Sequence, residues 1–154
     1  LSSQTMAKGS YVLVLALRQP LTLSIGRLGA FHFPAGTYAY TGSALGPGGL
    51  AARLAHHRRL NQPPHWHIDY LRPHTHLCEI WSAVSDERLE CAWAQALFSL
   101  PGARIIAPRF GASDCRCPAH LIYFSQPVRF NAFARQVARG RALVREVVNG
   151  GSPC

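Results

Sequence analysis

Hydrophobic and polar positions fall into two periods along this chain. Tyr11 to Leu17 is a continuous apolar, β-rich run and predicts a first strand, which Gln19 and Pro20 terminate. Leu21 to Ile25 and Phe31 to Phe33 alternate around Gly26, Arg27, Leu28 and Gly29, the pattern of a hairpin. Pro34 to Gly36 form a further turn, and Thr37 to Thr41 predict a strand rich in Tyr and Thr. A loop from Gly42 to Gly49, with Gly at 42, 46, 48 and 49, opens a helix over Leu50 to about Leu60, with Leu50 and Leu54 as its apolar stripe. Pro63 and Pro64 end that region. His65 to Leu71 fits a short helix or a strand, and Cys78 to Val84 reads as a strand. Ser85 followed by Asp86 and Glu87 gives an N-cap with acids in the first turn. Leu89, Trp93, Ala96, Leu97 and Leu100 then repeat at helical spacing up to Pro101 and Gly102. After a tight, cysteine-containing loop from Gly111 to Pro118 comes a strand, Leu121 to Phe124. Asn131 caps a last helix expected to reach about Val148. Phe133, Val137 and Val144 would point inward, Arg135, Arg139 and Arg145 outward, and Gly140 would weaken its middle by about 1 kcal/mol relative to Ala. No repeat or linker divides the chain. The expectation is one domain over residues 9–149, with a disordered tail at 1–8 and a short tail at 150–154.

At 154 residues and 48% hydrophobic content, such a domain has enough apolar surface for a core without crosslinks. No apolar run approaches the roughly 18 residues of a membrane span, and Leu1 to Lys8 has no apolar signal segment. Five cysteines (Cys78, Cys91, Cys115, Cys117 and Cys154) are an odd set, unlike a secreted disulfide framework. These features together predict reduced thiols in a cytoplasmic protein with no membrane partner. Charge changes the picture most. Sixteen Lys+Arg against seven Asp+Glu give +9, and Lys8 is the single lysine. Arginine presents a planar fork of donors that suits phosphate, so the balance predicts a nucleic-acid partner, DNA above all. A genome rich in G and C would explain Arg over Lys, but not the excess over acids.

Candidate chemistry comes from placement. On a helical wheel, Arg53 and His57 lie at the edge of the Leu50/Leu54 stripe, where Arg53 would otherwise be read as snorkelling over the core edge. Glu90 borders the Leu89/Trp93/Leu97 stripe with no basic partner at helical spacing, so it needs a distant cation or a metal. Tyr11 and Tyr40 would each be core aromatics by default. Tyr40, however, precedes Thr41, Gly42 and Ser43, and a Gly-rich turn at a helix start can offer backbone N–H groups to phosphate. His65, Trp66, His67, Ile68 and Asp69 are dense in ligand types: a second metal site, phosphate contacts, a base at His67, or a structural turn with Trp66 inward. Cys115, Cys117 and His120 are a candidate zinc set, but a structural site takes four ligands, so Cys91 or His65 would have to join. Buried, metal-free thiols are the favoured reading there.

Taken together, Gly9-Ser10-Tyr11 on the first strand, Tyr40-Thr41-Gly42 on a later one, Arg53 with His57 four residues on, and Glu90 downstream resemble the GIY-YIG nuclease superfamily. The stretch from Gly36 through Arg53 to Leu54, then His65 to Leu71 and Leu89 to Ala92, is similar to its Uri-type branch (domain of unknown function 123). The likeness runs from about Gly9 to Phe124. It implies an α/β domain of α+β type, a small, mainly antiparallel central sheet flanked by helices, here with an inserted β-hairpin. It also implies roles: Tyr11 and Tyr40 line the active site, and one of them deprotonates or orients the attacking water. Arg53 holds the scissile phosphate, Glu90 binds one Mg²⁺ or Mn²⁺ ion, and His57 matches an i+4 histidine of some members. Gly42, Ser43, Arg53, Arg58, His65 and His67 become expected nucleic-acid contacts. The chain departs from the pattern in its Gly-Ser-Tyr motif, in the hairpin between the two tyrosine motifs, and in offering Ser113 or Asp114 where many members carry Asn. A tyrosine acting as base would need its pKa of about 10 lowered by roughly 3 units, a differential of about 4 kcal/mol. The expected function is metal-dependent hydrolysis of phosphodiester bonds in DNA, in a repair setting. The alternative is a nucleic-acid-binding module on the same scaffold without catalysis.

Overall fold

The computed structural model of the protein describes residues 6–137 and 142–148. β1 (Gly9–Leu17) is the middle strand of an antiparallel sheet with β4 (Gly36–Ala44), β5 (His76–Val84), β6 (Leu121–Phe124) and β7 (Val144–Val147), in the order β6-β4-β1-β5-β7. β2 (Leu21–Ile25) and β3 (Gly29–Phe33) form a separate two-stranded sheet around a 3-10 turn, which is the predicted hairpin. The helices are α1 (Gly49–Arg58), α2 (Ile68–Leu71), α3 (Glu90–Phe98) and α4 (Phe130–Val137). The fold is thus mixed α/β, a mainly antiparallel five-stranded sheet flanked by helices. Among the described residues no helix is long and apolar enough to cross a membrane.

The unbroken apolar run of β1 has a structural reason. All nine of its residues are buried, because helices or loops cover both faces of the sheet. With a side-chain period of 2, Tyr11, Leu13, Leu15 and Leu17 enter one core with Tyr38, Tyr40, Leu50, Ile68 and Phe110. Val12, Val14 and Ala16 enter the other, with Trp81, Trp93, Leu97 and Phe133. Trp81 and Phe133 stack there at 5.1 Å. The first core carries α1, α2 and the hairpin; the second carries α3 and α4.

Three elements differ from the sequence expectation. β4 continues to Ala44, so Gly42 and Ser43 are ladder residues paired with Tyr11 and Ser10 rather than part of a phosphate-receiving turn. α3 begins at Glu90, and Ser85 instead accepts the Glu87 N–H in the preceding turn. The last helix is described as Phe130–Val137 and does not reach Val148. Val144 and Arg145 then lie in β7, where the backbone completes the ladder on the open edge of β5. The expectations for Arg139 and Gly140 fall outside the described residues. At the other end, Ala7 and Lys8 are tied to the fold through carbonyls that accept the N–H groups of Leu50 and Ser85.

Candidate active site

The end of β4 with the loop that follows it, α1, the turn through Trp66, the start of α3 and the loop before β6 enclose a cleft of about 390 Å³. Tyr40, Gly42, Ser43, Arg53, Trp66, Arg88, Glu90, Asp114, Cys115 and His120 are among the side chains that line it. Arg53 and Glu90, 37 positions apart in sequence, therefore share one opening.

Arg53 is held from two sides. Its guanidinium stacks over Trp66 at 4.3 Å, and its Nη1 donates to the Tyr11 hydroxyl at 3.3 Å. Trp66 is fixed in turn by Asp69, whose Oδ2 accepts the N–H groups of His65 and Trp66 and whose Oδ1 meets His56 Nε2 at 3.0 Å. The His65 to Asp69 segment is thus a structural turn that presents a tryptophan to the cleft arginine. Tyr11 does not line the cleft. It is fully buried beneath Arg53, with its hydroxyl 2.7 Å from His57 Nε2. That hydroxyl therefore bridges Arg53 and His57, while His57 Nδ1 has no hydrogen-bond partner among the described residues. Burial pushes the His57 pKa down to about 3 and the Tyr11 pKa up to about 12. Burial likewise holds Tyr40 well above the ordinary phenol range. Both tyrosines keep their protons, the opposite of what a tyrosinate base needs.

Glu90 opens α3, and buried hydroxyls on the strands fix its backbone. Thr41 Oγ1 donates to the Glu90 carbonyl at 2.9 Å; Leu89 N–H donates to Ser10 Oγ, itself 2.7 Å from Ser43 Oγ. Its carboxylate meets Arg88 Nη1 at 3.2 Å. The sequence reading found no basic partner for Glu90 because residues two apart on a helix do not face each other. The later start of α3 puts Arg88 in a turn and makes the pair available.

Of the residues singled out from sequence, Tyr40, Gly42, Ser43, Arg53, Glu90, Cys115 and His120 meet at the cleft, and Asp114 lines it where Ser113 does not. Tyr11 and His57 lie below as support. Arg58 is away from it, paired with Glu146 of β7 at 2.7 and 2.8 Å. His65 is exposed and meets Trp66 edge-on, while His67 Nδ1 accepts the Gly111 N–H at 2.8 Å and so has no free lone pair there for a base. Cys117 is buried and joined to Cys91 by a disulfide, where reduced thiols were expected; Cys115 is a free thiol. Sequence reasoning missed Arg88, the hydroxyl anchors Ser10 and Thr41, and the Trp66 platform. The polar residues set into otherwise apolar strands were the available signal for the anchors.

A family model described as "Domain of unknown function DUF123" matches residues 10–142. No curated protein and no solved structure matches the chain.

Proposed function

The chain belongs to the DUF123 family, and from that premise we propose that it is a divalent-metal-dependent endonuclease that hydrolyses phosphodiester bonds in DNA, in a repair setting. The carrying observation is the shared cleft of Arg53 and Glu90: a cation held by Trp66 and Tyr11 lines the same opening as a carboxylate at a helix start. The likeness to GIY-YIG nucleases supports the same assignment, and so does the net charge of +9. Arg53 would grip a non-bridging phosphate oxygen and stabilise charge there as the bond breaks. Glu90 would hold Mg²⁺ or Mn²⁺. The donor set fits, because a hard cation of this kind takes one or two carboxylates and completes its shell with water and substrate phosphate. The bound ion would supply Lewis-acid stabilisation of the leaving oxygen. Tyr40, at the cleft wall with its proton retained, would orient the attacking water. Tyr11 and His57 would act one step back as positioning residues for Arg53.

The test is Glu90→Gln, which keeps shape and hydrogen bonding but removes the charge. Mg²⁺-dependent nicking of plasmid or branched DNA should be abolished, with the circular-dichroism spectrum unchanged; undiminished cleavage removes Glu90 from the mechanism. The Arg88–Glu90 pair favours a second reading, because the carboxylate already has a cation beside it. Under that reading the cleft binds nucleic acid without turnover, and salt-sensitive binding would be seen with no cleavage in any divalent metal.

A further inference from the structure

Beside the cleft, the loop before β6 and the first turn of α3 bring four ligand-type side chains together: Cys91, Cys115, Cys117 and His120, whose ligand atoms all lie within 4.8 Å of one another. His120 Nε2 is 3.4 Å from Cys91 Sγ and 3.3 Å from Cys115 Sγ. Bonds of about 2.3 Å to sulfur and about 2.0–2.1 Å to nitrogen, opened to a tetrahedral angle, put ligand atoms roughly 3.5 Å apart, which matches these separations. The loop is held in shape independently. The Arg109 guanidinium donates to the carbonyls of Ala112, Cys115 and Cys117, and the backbone pairs Arg109 with Pro118 and His120 with Phe110.

We infer that, with its thiols reduced, the protein binds one Zn²⁺ through Cys91, Cys115, Cys117 and His120, and that this ion clasps the loop before β6 to the start of α3. The expectation of metal-free thiols rested on the uncommon Cys-x-Cys spacing and on the need for a fourth ligand, Cys91 or His65. The fold supplies the fourth, Cys91, and leaves His65 outside the set. The second cluster of this kind, His56, His57 and Asp69, is weaker, because three hydrogen bonds already occupy the Asp69 oxygens. The Cys91–Cys117 disulfide is the oxidised, metal-free form of the same four groups. Two equivalents of a small thiol reductant open it, giving two protein thiols and one reductant disulfide. On binding, the three cysteine thiols release three protons to solvent and the ion meets three thiolates and a neutral imidazole. Cys91 follows Glu90 directly, so the clasp would hold the first turn of α3 against the cleft. The zinc site itself does not depend on the nuclease reading.

The experiment uses the full untagged chain, reduced under anaerobic conditions and passed free of loose metal. Elemental analysis should find about one zinc per chain. After exchange with Co²⁺ alone, intense visible bands of tetrahedral cobalt should appear with a near-ultraviolet thiolate charge-transfer band. Oxidation with diamide should abolish binding, and Cys115→Ser and His120→Ala should each lose most of the zinc. Because those variants could fail to fold, the cobalt spectrum of the unmutated chain decides on its own. No stoichiometric metal, or bound cobalt without a thiolate band, overturns the proposal.

Discussion

Gly42 shows how a single missing carbon positions the cleft. It sits opposite Tyr11 in the β1–β4 ladder, and a Cβ built there would lie 2.3 Å from the Tyr11 hydroxyl oxygen. That oxygen is the one Arg53 binds, so the absence of a side chain at 42 lets the phenol reach the arginine. Gly42→Ala should cost about 1–3 kcal/mol by overpacking a site with no room to yield. A urea midpoint unchanged from the parent protein would mean that Tyr11 has somewhere else to go. Other residues were legible in sequence only as types. Arg53 was legible as an arginine at the edge of the α1 stripe, yet its partners, Trp66 and Tyr11, are 13 and 42 positions distant. No wheel reaches that far.

At the scale of elements, α1 docks on β1 through a buried histidine. His57 meets Tyr11 through Nε2, and its carbonyl accepts from the buried Arg72 side chain at 2.7 Å. Burial holds its folded pKa at about 3 against an ordinary 6.5, so between those values the folded protein binds fewer protons than the unfolded chain. The stability this neutral histidine contributes is complete above about pH 6.5 and is lost as pH falls toward 3, with a slope of at most roughly 1.4 kcal/mol per pH unit. His57→Gln should flatten the fall in unfolding free energy between about pH 6.5 and about pH 5, a window above the ordinary carboxylate range. Parallel curves for the two proteins would show that His57 is not the group responsible. The strands were read well from sequence because a doubly covered sheet writes its burial into near-continuous apolar runs. The ends of α3 and α4 were not, because ladder pairing on β5 and a turn through Arg88 overrode local helical spacing.

For the whole molecule, net charge overstates the surface available to a polyanion. Arg58 and Arg145 are paired with Glu146 and Glu79, Arg72 is buried against backbone carbonyls, and Arg109 is spent on the cysteine loop. Arg53 and Arg88 line the cleft, Arg88 paired there with Glu90. Duplex binding should still be strongly salt-dependent, falling about 10³-fold between about 50 and 200 mM salt if roughly six phosphates are contacted. Fluorescence anisotropy across that range measures the slope, and an affinity indifferent to salt would detach the charge excess from DNA.

By itself the sequence determined most strands and helices, the hairpin and the residue types that reach the cleft, because periods of 2 and 3.6 and the turn residues are local properties of a chain, while the sheet architecture came from the family resemblance. Only the tertiary structure decided which of those residues lie together: Arg53 in one cleft with Glu90, Tyr11 beneath rather than within that cleft, and Cys91 beside Cys115, Cys117 and His120. Those neighbours come from separate strands, helices and loops. Their proximity follows from sheet order and from the burial of two faces at once, which no local spacing encodes.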